Sequence, residues 1–222
     1  MNKSFSKFEY TVKKNTENEP IQLYSYENNG KFDYNAYKEI QVDGHKKKIQ
    51  NVWATEGNIE YICSFLKENL GTIQFGLCHG TRRGREQEWF KNYLGCDVLG
   101  TEISDTARDF ENTIEWDFHD TKEEWIDSVD FIYSNSFDHS YDPESCINAW
   151  ADCLRSGGFC IIEHTSGHEK ATQLDPFGAK IQVMPYLLLV WLRGKCSVVE
   201  ILEAPVKSKN LSYISFIVLQ KR

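Results

Sequence analysis

Between Val52 and Arg222, short apolar runs alternate with segments whose apolar residues recur at helical spacing. An apolar run bounded by turn residues reads as a buried strand, and a spacing of three and four reads as one face of a helix. Thr55 can cap a helix: Glu56 puts acid in its first turn, Ile59, Ile62, Phe65 and Leu66 form its face, and Leu70-Gly71 ends it. A strand over Ile73–Gly76 leads into a glycine-rich turn, Leu77–Gly84, and a helix over Arg85–Leu94. Strands follow at Asp97–Thr101, Thr113–Asp117, Val129–Ser134 and Gly158–His164. A helix over Pro143–Arg155, stopped by Ser156-Gly157-Gly158, separates the last two of these. The chain closes with an antiparallel hairpin of Val198–Pro205 and Leu211–Gln220. This alternation predicts an α/β fold with a mainly parallel sheet and helices on both faces.

The N-terminal quarter reads differently. Residues 1–50 are polar and rich in tyrosine (Tyr10, Tyr24, Tyr26, Tyr34, Tyr37), with turn signals at Asn28-Asn29-Gly30 and Asp43-Gly44. Short strands and turns are expected there, in an extension that either covers a substrate or contacts another subunit. Met1–Lys14 is polar and charged, unlike a secretory signal. The run Tyr186–Leu192 is too short to span a bilayer and reads as a core helix.

Composition narrows the function. The net charge of −8 over 222 residues makes nucleic acid an unlikely main partner, because phosphate binding draws on a basic surface. The basic clusters, Lys46-Lys47-Lys48 and Arg82-Arg83 with Arg85, read as solvated loops or local contacts. Seven cysteines without CxxC spacing favour a reducing compartment over a disulfide framework, so a cytoplasmic location is expected.

The glycine turn carries the first chemistry. A turn between strand and helix lets backbone N–H groups and the helix dipole approach a ligand. Glu102, on the tip of the next strand about 20 residues on, suits a ribose diol; the alternative role is an acid at the start of a helix over Ser104–Phe110. The pairing points to an adenosine-containing cofactor.

The element order, with the segments around Glu102, Asp117, Ser134–Phe137 and Arg155–Phe159, resembles the class I S-adenosylmethionine-dependent methyltransferase family over roughly 52–222. The resemblance implies a doubly wound, mainly parallel seven-stranded sheet with an antiparallel last strand. It implies S-adenosylmethionine lying against Gly76, His79, Gly80, Thr81, Arg82, Glu102, Ile103, Asp117, Phe118, Asn135, Ser136 and Phe137. The family's glycine motif usually carries an acid that is missing from Phe75–Thr81 here, and Arg82 or Arg83 can take over the methionine carboxylate. As an alternative role, Asp117 caps a turn with His119 and Asp120.

Asp138 and His139 follow the fourth strand of the pattern, where the family places residues near the transferred methyl, and are the candidates for taking an acceptor proton. Their alternative is capping and packing. His164 and His168 flank a loop over Thr165–Phe177, a candidate lid, and are assigned to the substrate. Zinc held by the His-x3-His pair would need a helix that Thr165-Ser166-Gly167 opposes. Asp138, Glu163 and His164 lack the acid-rich character of a magnesium site, and no metal is expected. The resemblance leads to methyl transfer onto O or N of a small or medium polar acceptor, such as a sugar or other metabolite. The chain is expected to act without a membrane, and a homo-oligomer is possible. Two other functions compete. One is a catalytically degenerate scaffold; the other is a nicotinamide-dependent oxidoreductase, whose Tyr-x3-Lys spacing occurs at Tyr34 and Lys38.

Overall fold

Five parallel strands form the centre of the molecule: β4 (Phe75–His79), β5 (Asp97–Glu102), β6 (Thr113–Glu115), β7 (Val129–Ser134) and β8 (Leu154–Thr165). The hairpin β10 (Cys196–Glu203) and β11 (Ile214–Lys221) completes a seven-stranded sheet of order β10-β11-β8-β7-β4-β5-β6. β11 runs antiparallel to both of its neighbours, as the hairpin pattern predicts. The structure, a computed structural model, describes residues 19–208 and 210–222. The expectations for Met1–Lys14, Tyr10 included, lie outside them.

Side chains alternate across each strand, so the sheet offers two apolar faces. Leu77, Ile132 and Ile217 pack with Ile147 and Trp150 of α4 (Pro143–Cys153) and Leu188 of α5 (Met184–Leu192). Cys78, Phe131 and Val218 pack on the other face with Ile59 and Ile62 of α2 (Glu56–Asn69) and Phe90 of α3 (Arg85–Leu94). Each such side chain, fully buried, contributes about 1.5–3 kcal/mol of transfer free energy. α5 buries Met184, Leu187, Leu188 and Leu192 but leaves Tyr186 and Val190 exposed, so it is a one-sided core helix.

Three boundaries depart from the sequence reading. β4 runs to His79, because Leu77, Cys78 and His79 pair in register with Leu99, Gly100 and Thr101; the turn begins only at Gly80. α4 stops at Cys153, and Leu154 already pairs with Val129; Gly157, at φ +78°, sits inside the irregular start of β8 rather than ending a helix. Ser104–Phe110 forms only a 3₁₀ turn over Asp105–Asp109.

The N-terminal region holds β1 (Ile21–Leu23), the hairpin β2 (Glu27–Asn28) and β3 (Lys31–Phe32), and a helix, α1 (Tyr34–Lys47). The Asn29-Gly30 turn forms as the sequence suggests, with both residues at positive φ. Asp43-Gly44 does not turn: it lies inside α1, and a Cβ on Gly44 would sit 2.4 Å from the Leu174 side chain. β1 pairs antiparallel with β9 (Phe177–Ala179), tying the extension to the segment after β8.

Gly76 shows how closely the sheet is packed. A Cβ there would lie 2.2 Å from the Phe131 ring, which is fully buried. Overpacking of this kind costs about 1–3 kcal/mol, so Gly76→Val is expected to lower the urea midpoint without changing the slope. An unchanged midpoint would show that the ring moves freely.

Candidate active site

The strand order reverses between β4 and β7, which opens a crevice at their C-terminal ends. Gly80 leaves β4 at φ +73°, and a Cβ there would lie 2.6 Å from the Ser136 Cβ. Ser136, just beyond β7, donates from Oγ to the Gly80 carbonyl (3.2 Å), so the two loops close on one another. The Gly80 and Thr81 N–H groups bond the Thr101 carbonyl (2.9 and 3.2 Å) and Arg82 N–H bonds Glu102 (3.1 Å). The turn therefore meets a ligand through its side chains and shape, not through these three N–H groups.

Two compartments adjoin at Gly80, Arg82, Ser136, His139 and Lys48. The first is a narrow slot roofed by Tyr37, Gln41, Gly44 and His45 of α1 and floored by Glu102, Ile103, Asp117 and Phe118. Glu102 receives the N–H groups of Arg82 and Ser104 (3.2 Å) and pairs with His45 Nδ1 (3.0 Å). Burial acts to raise its pKa, but the His45 contact and the two N–H groups outweigh it and hold the carboxyl below its ordinary range. Asp117 is held low in the same way: its burial is outweighed by the His119 ring (2.7 Å), the His119 N–H (3.0 Å) and the Tyr34 hydroxyl (2.7 Å). The turn-capping role for Asp117 is thus built in the structure. Aromatic rings crowd this end, with His119 stacked on Tyr141 at 3.9 Å.

The second compartment is a cleft of ≈ 310 Å³ lined by Trp53, Thr81, Arg82, Arg83, Asn135 and an unusual set of acids. Glu86 and Glu163 are both buried, and burial pushes each carboxyl up to about 7. Glu163 accepts from the Tyr133 hydroxyl (2.8 Å), whereas Glu86 Oε2 has no partner among the described residues. Asp138 is 7% exposed and pushed up to about 6 by burial. His168, also on this cleft, is held down to about 4 by burial and so stays neutral.

Residues 77–162, from within β4 to within β8, match the family model described as a methyltransferase domain. The stretch contains Gly80, Glu102, Asp117 and Asn135–His139. The match to a methyltransferase domain thus runs through the central strands of the sheet and both sides of the crevice. No curated protein sequence matches the chain. Among solved structures it is similar to the Burkholderia thailandensis 1,6-didemethyltoxoflavin-N1-methyltransferase, with bound 1,6-didemethyltoxoflavin and S-adenosylhomocysteine. That likeness has a TM-score of 0.66 and 14% identity over 90% of this chain and 94% of that one. It is also similar to a TehB-like methyltransferase from Corynebacterium glutamicum (TM-score 0.55, 17% identity, 85% and 100% covered). A third is the geranyl diphosphate C-methyltransferase of Streptomyces coelicolor A3(2), solved with Mg²⁺, geranyl diphosphate and S-adenosylhomocysteine (TM-score 0.59, 10% identity, 84% and 98% covered). At these identities the likeness is one of fold.

The fold brings most of the sequence-chosen residues to the trough. Gly80, Thr81, Arg82, Glu102, Ile103, Asp117, Phe118, Asn135, Ser136, Asp138, His139 and His168 line one or both compartments. Four do not. Gly76 is covered by Phe131 in mid-strand. His79 belongs to the ladder, stacks on Trp150 at 4.8 Å, bonds Thr101 Oγ1 (2.8 Å), and is held down to about 3 by burial. Phe137 packs edge-on to Trp150 and Phe177. His164 spends both ring nitrogens on the Ala179 carbonyl (2.9 Å) and the Tyr213 hydroxyl (3.1 Å). Tyr34 and Lys38 do not converge either: the first bonds Asp117 and the second lies 3.7 Å from Glu115.

The sequence reading missed Glu86, Asp175 and the whole contribution of α1. Glu86 looked like an ordinary first-turn acid of α3, and Asp175 sits in an irregular loop. The signal for α1 was present in the spacing of Tyr37, Gln41, Gly44 and His45, hidden because that face is polar and glycine-bearing.

Proposed function

We propose that this chain transfers the methyl group of S-adenosylmethionine to an oxygen or nitrogen of a small polar acceptor. What supports the reading is the change of character along one trough. At one end lies a narrow slot with Glu102 and Asp117 in its floor and Tyr37, Ile103 and Phe118 among its walls; at the other lies a wider cleft rich in proton acceptors, and Gly80 and Ser136 stand between them. In this reading the adenine lies beside Ile103, Asp117 and Phe118, and the ribose hydroxyls reach Glu102. The methionine end passes Gly80, Thr81, Asn135 and Ser136, its carboxylate toward Arg82 or Arg83. Glu86 takes the place of the acid missing from the glycine motif and receives the ammonium. α1 covers the nucleoside, which gives the N-terminal extension the role of a roof on the cofactor rather than a subunit contact.

The reaction needs alignment more than chemistry. The acceptor's lone pair forms a bond to the methyl carbon as the carbon–sulfur bond breaks, and the electron pair stays on sulfur in S-adenosylhomocysteine. Holding the two in line is worth about 7–11 kcal/mol in favourable cases. The acceptor's proton passes to Asp138 or His139, the groups nearest that end, and such a proton acceptor contributes about 10²–10⁴ in rate. His168 stands on the acceptor side. His164 acts only by supporting the β8 end, and His79, Phe137 and Gly76 act through packing.

The cleft's size supports a small acceptor, and a formal charge of −8 weighs against nucleic acid. No helix among the described residues is long and apolar enough to cross a membrane. All seven cysteines are free and buried, which supports a reducing, cytoplasmic setting.

The test is transfer of labelled methyl from S-adenosylmethionine to pools of hydroxylated, amine-bearing and carbon-nucleophile metabolites. Label in an O- or N-methylated product supports the reading. Label only on carbon corrects the acceptor class. Tight cofactor binding with no transfer to any pool would favour a scaffold.

A further inference from the structure

On the cleft side of β7 and β8, four side chains converge without bonding one another. Ligand atoms of Asp138, His139 and Asp175 all lie within 4.8 Å of each other. His139 Nε2 stands 3.5 Å from Asp175 Oδ1, and His168 Nε2 stands 3.8 Å from Asp138 Oδ2. The second distance is too long for a hydrogen bond and the first is at its limit. Asp138 is nine-tenths buried, yet its Oδ1 has no partner among the described residues. A buried carboxylate oxygen left alone is costly, and the spacing leaves room for a small cation between the donors.

The orientation of His139 is fixed from behind. Its Nδ1 lies 2.8 Å from Gln41 Oε1, and the Gln41 amide donates in turn to the Leu174 carbonyl (2.8 Å). With its amide nitrogen on Leu174, Gln41 presents its oxygen to the ring, so Nδ1 is a donor and Nε2 is the ring nitrogen that faces Asp175. This is the outer arrangement that metal-binding histidines have.

We propose that Asp138, His139 and Asp175, with His168 as a fourth donor, hold a first-row divalent transition ion such as zinc or manganese in the acceptor half of the cleft. The mixed imidazole and carboxylate set suits such ions better than magnesium, which prefers oxygen alone. The consequence for catalysis rests on the methyl-transfer reading. The ion faces the acceptor, binds its oxygen and lowers the pKa of that hydroxyl. With the ion bound, the acceptor's proton is lost to solvent and its oxygen lone pair takes the methyl, a route that replaces the proton transfer to Asp138 or His139, which then serve as ligands. Acceptors offering a hydroxyl fit best.

The experiment strips the full chain with EDTA and titrates it with Co²⁺, followed by visible absorption, with Zn²⁺ competition and S-adenosylhomocysteine binding measured on the same samples. The expected result is a saturable band at one ion per chain, displaced by Zn²⁺. Asp175→Asn and His168→Ala should weaken binding tenfold or more, and Gln41→Leu about 10–100-fold. No saturable band, or a band indifferent to all three substitutions, overturns the site. If S-adenosylhomocysteine still binds the stripped protein in that case, the cofactor reading stands and the ion alone is wrong. If the ion binds and the nucleoside does not, the site stands and the transfer reading falls.

Discussion

Glu102→Ala is expected to weaken S-adenosylmethionine binding by about 10–150-fold, the range for losing hydrogen bonds to a charged group. The carboxylate lies at the C-terminal tip of β5, held below its ordinary pKa, so it is ionised throughout the physiological range. Substitution removes the acceptor for the ribose hydroxyls and strands three donors: the N–H groups of Arg82 and Ser104 and the His45 ring. The loss should therefore appear in both affinity and stability. Glu102→Gln separates the two, because it keeps an acceptor for one N–H while dropping the charge that His45 faces. Titration calorimetry beside urea unfolding reads both quantities. Unchanged affinity in a stable Glu102→Gln variant, with Glu102→Ala equally unaffected, would move the ribose away from Glu102.

The second large effect is expected at Glu86, with opposite signs for stability and binding. Its carboxyl is raised to about 7 by burial, whereas in the unfolded chain it titrates at about 4.3. Between these values the folded protein holds a proton that the unfolded chain has released. Unfolding free energy therefore falls with rising pH across that window. Stability from this group is complete below about pH 4.3 and is lost as pH passes 7. Gln cannot ionise, so Glu86→Gln should gain on the wild type as pH rises from 5 to 8, by about 2–3 kcal/mol at one pKa unit per 1.36 kcal/mol. Its cofactor affinity should drop about tenfold or more, because the ammonium loses its partner. Wild-type affinity should also rise with pH through 7, as the carboxylate becomes available. A variant that is stabilised but binds as well as the wild type would leave Glu86 a buried acid with no ligand.

What could be read in advance followed from periodicity. β4, β5, β7 and β11 are apolar runs whose neighbours are turn residues, and burial on both sheet faces leaves them little alternative, while β10 follows as the edge strand of a hairpin. That Glu102, Gly80, Asn135, Ser136, Asp138 and His139 lie at the crevice was legible because they follow the C-terminal ends of strands beside the switch point. His79 was misplaced because the glycine turn was taken to begin too early; the parallel register with Thr101 keeps the chain extended through His79. α1 is missed because its buried face mixes Ala36, Tyr37 and Ile40 with Gln41, Gly44 and His45, which breaks the apolar period in its second half. That face meets a slot and a loop, not the main core, so hydrophobic pattern could not report it. Local rules fail most often where a ligand stands in for packing. The cluster of Asp138, His139 and Asp175 was hidden for another reason: Asp138 and Asp175 are far apart in sequence and meet only because the segment after β8 folds back beside β7.

Titration calorimetry of S-adenosylhomocysteine into the wild-type protein at pH 8 tests the central claim most directly. The account predicts saturable binding at one molecule per chain with micromolar or tighter affinity. Absence of heat and of any competition by S-adenosylmethionine, with the protein folded and at concentrations well above micromolar, would contradict the assignment of this trough to the cofactor.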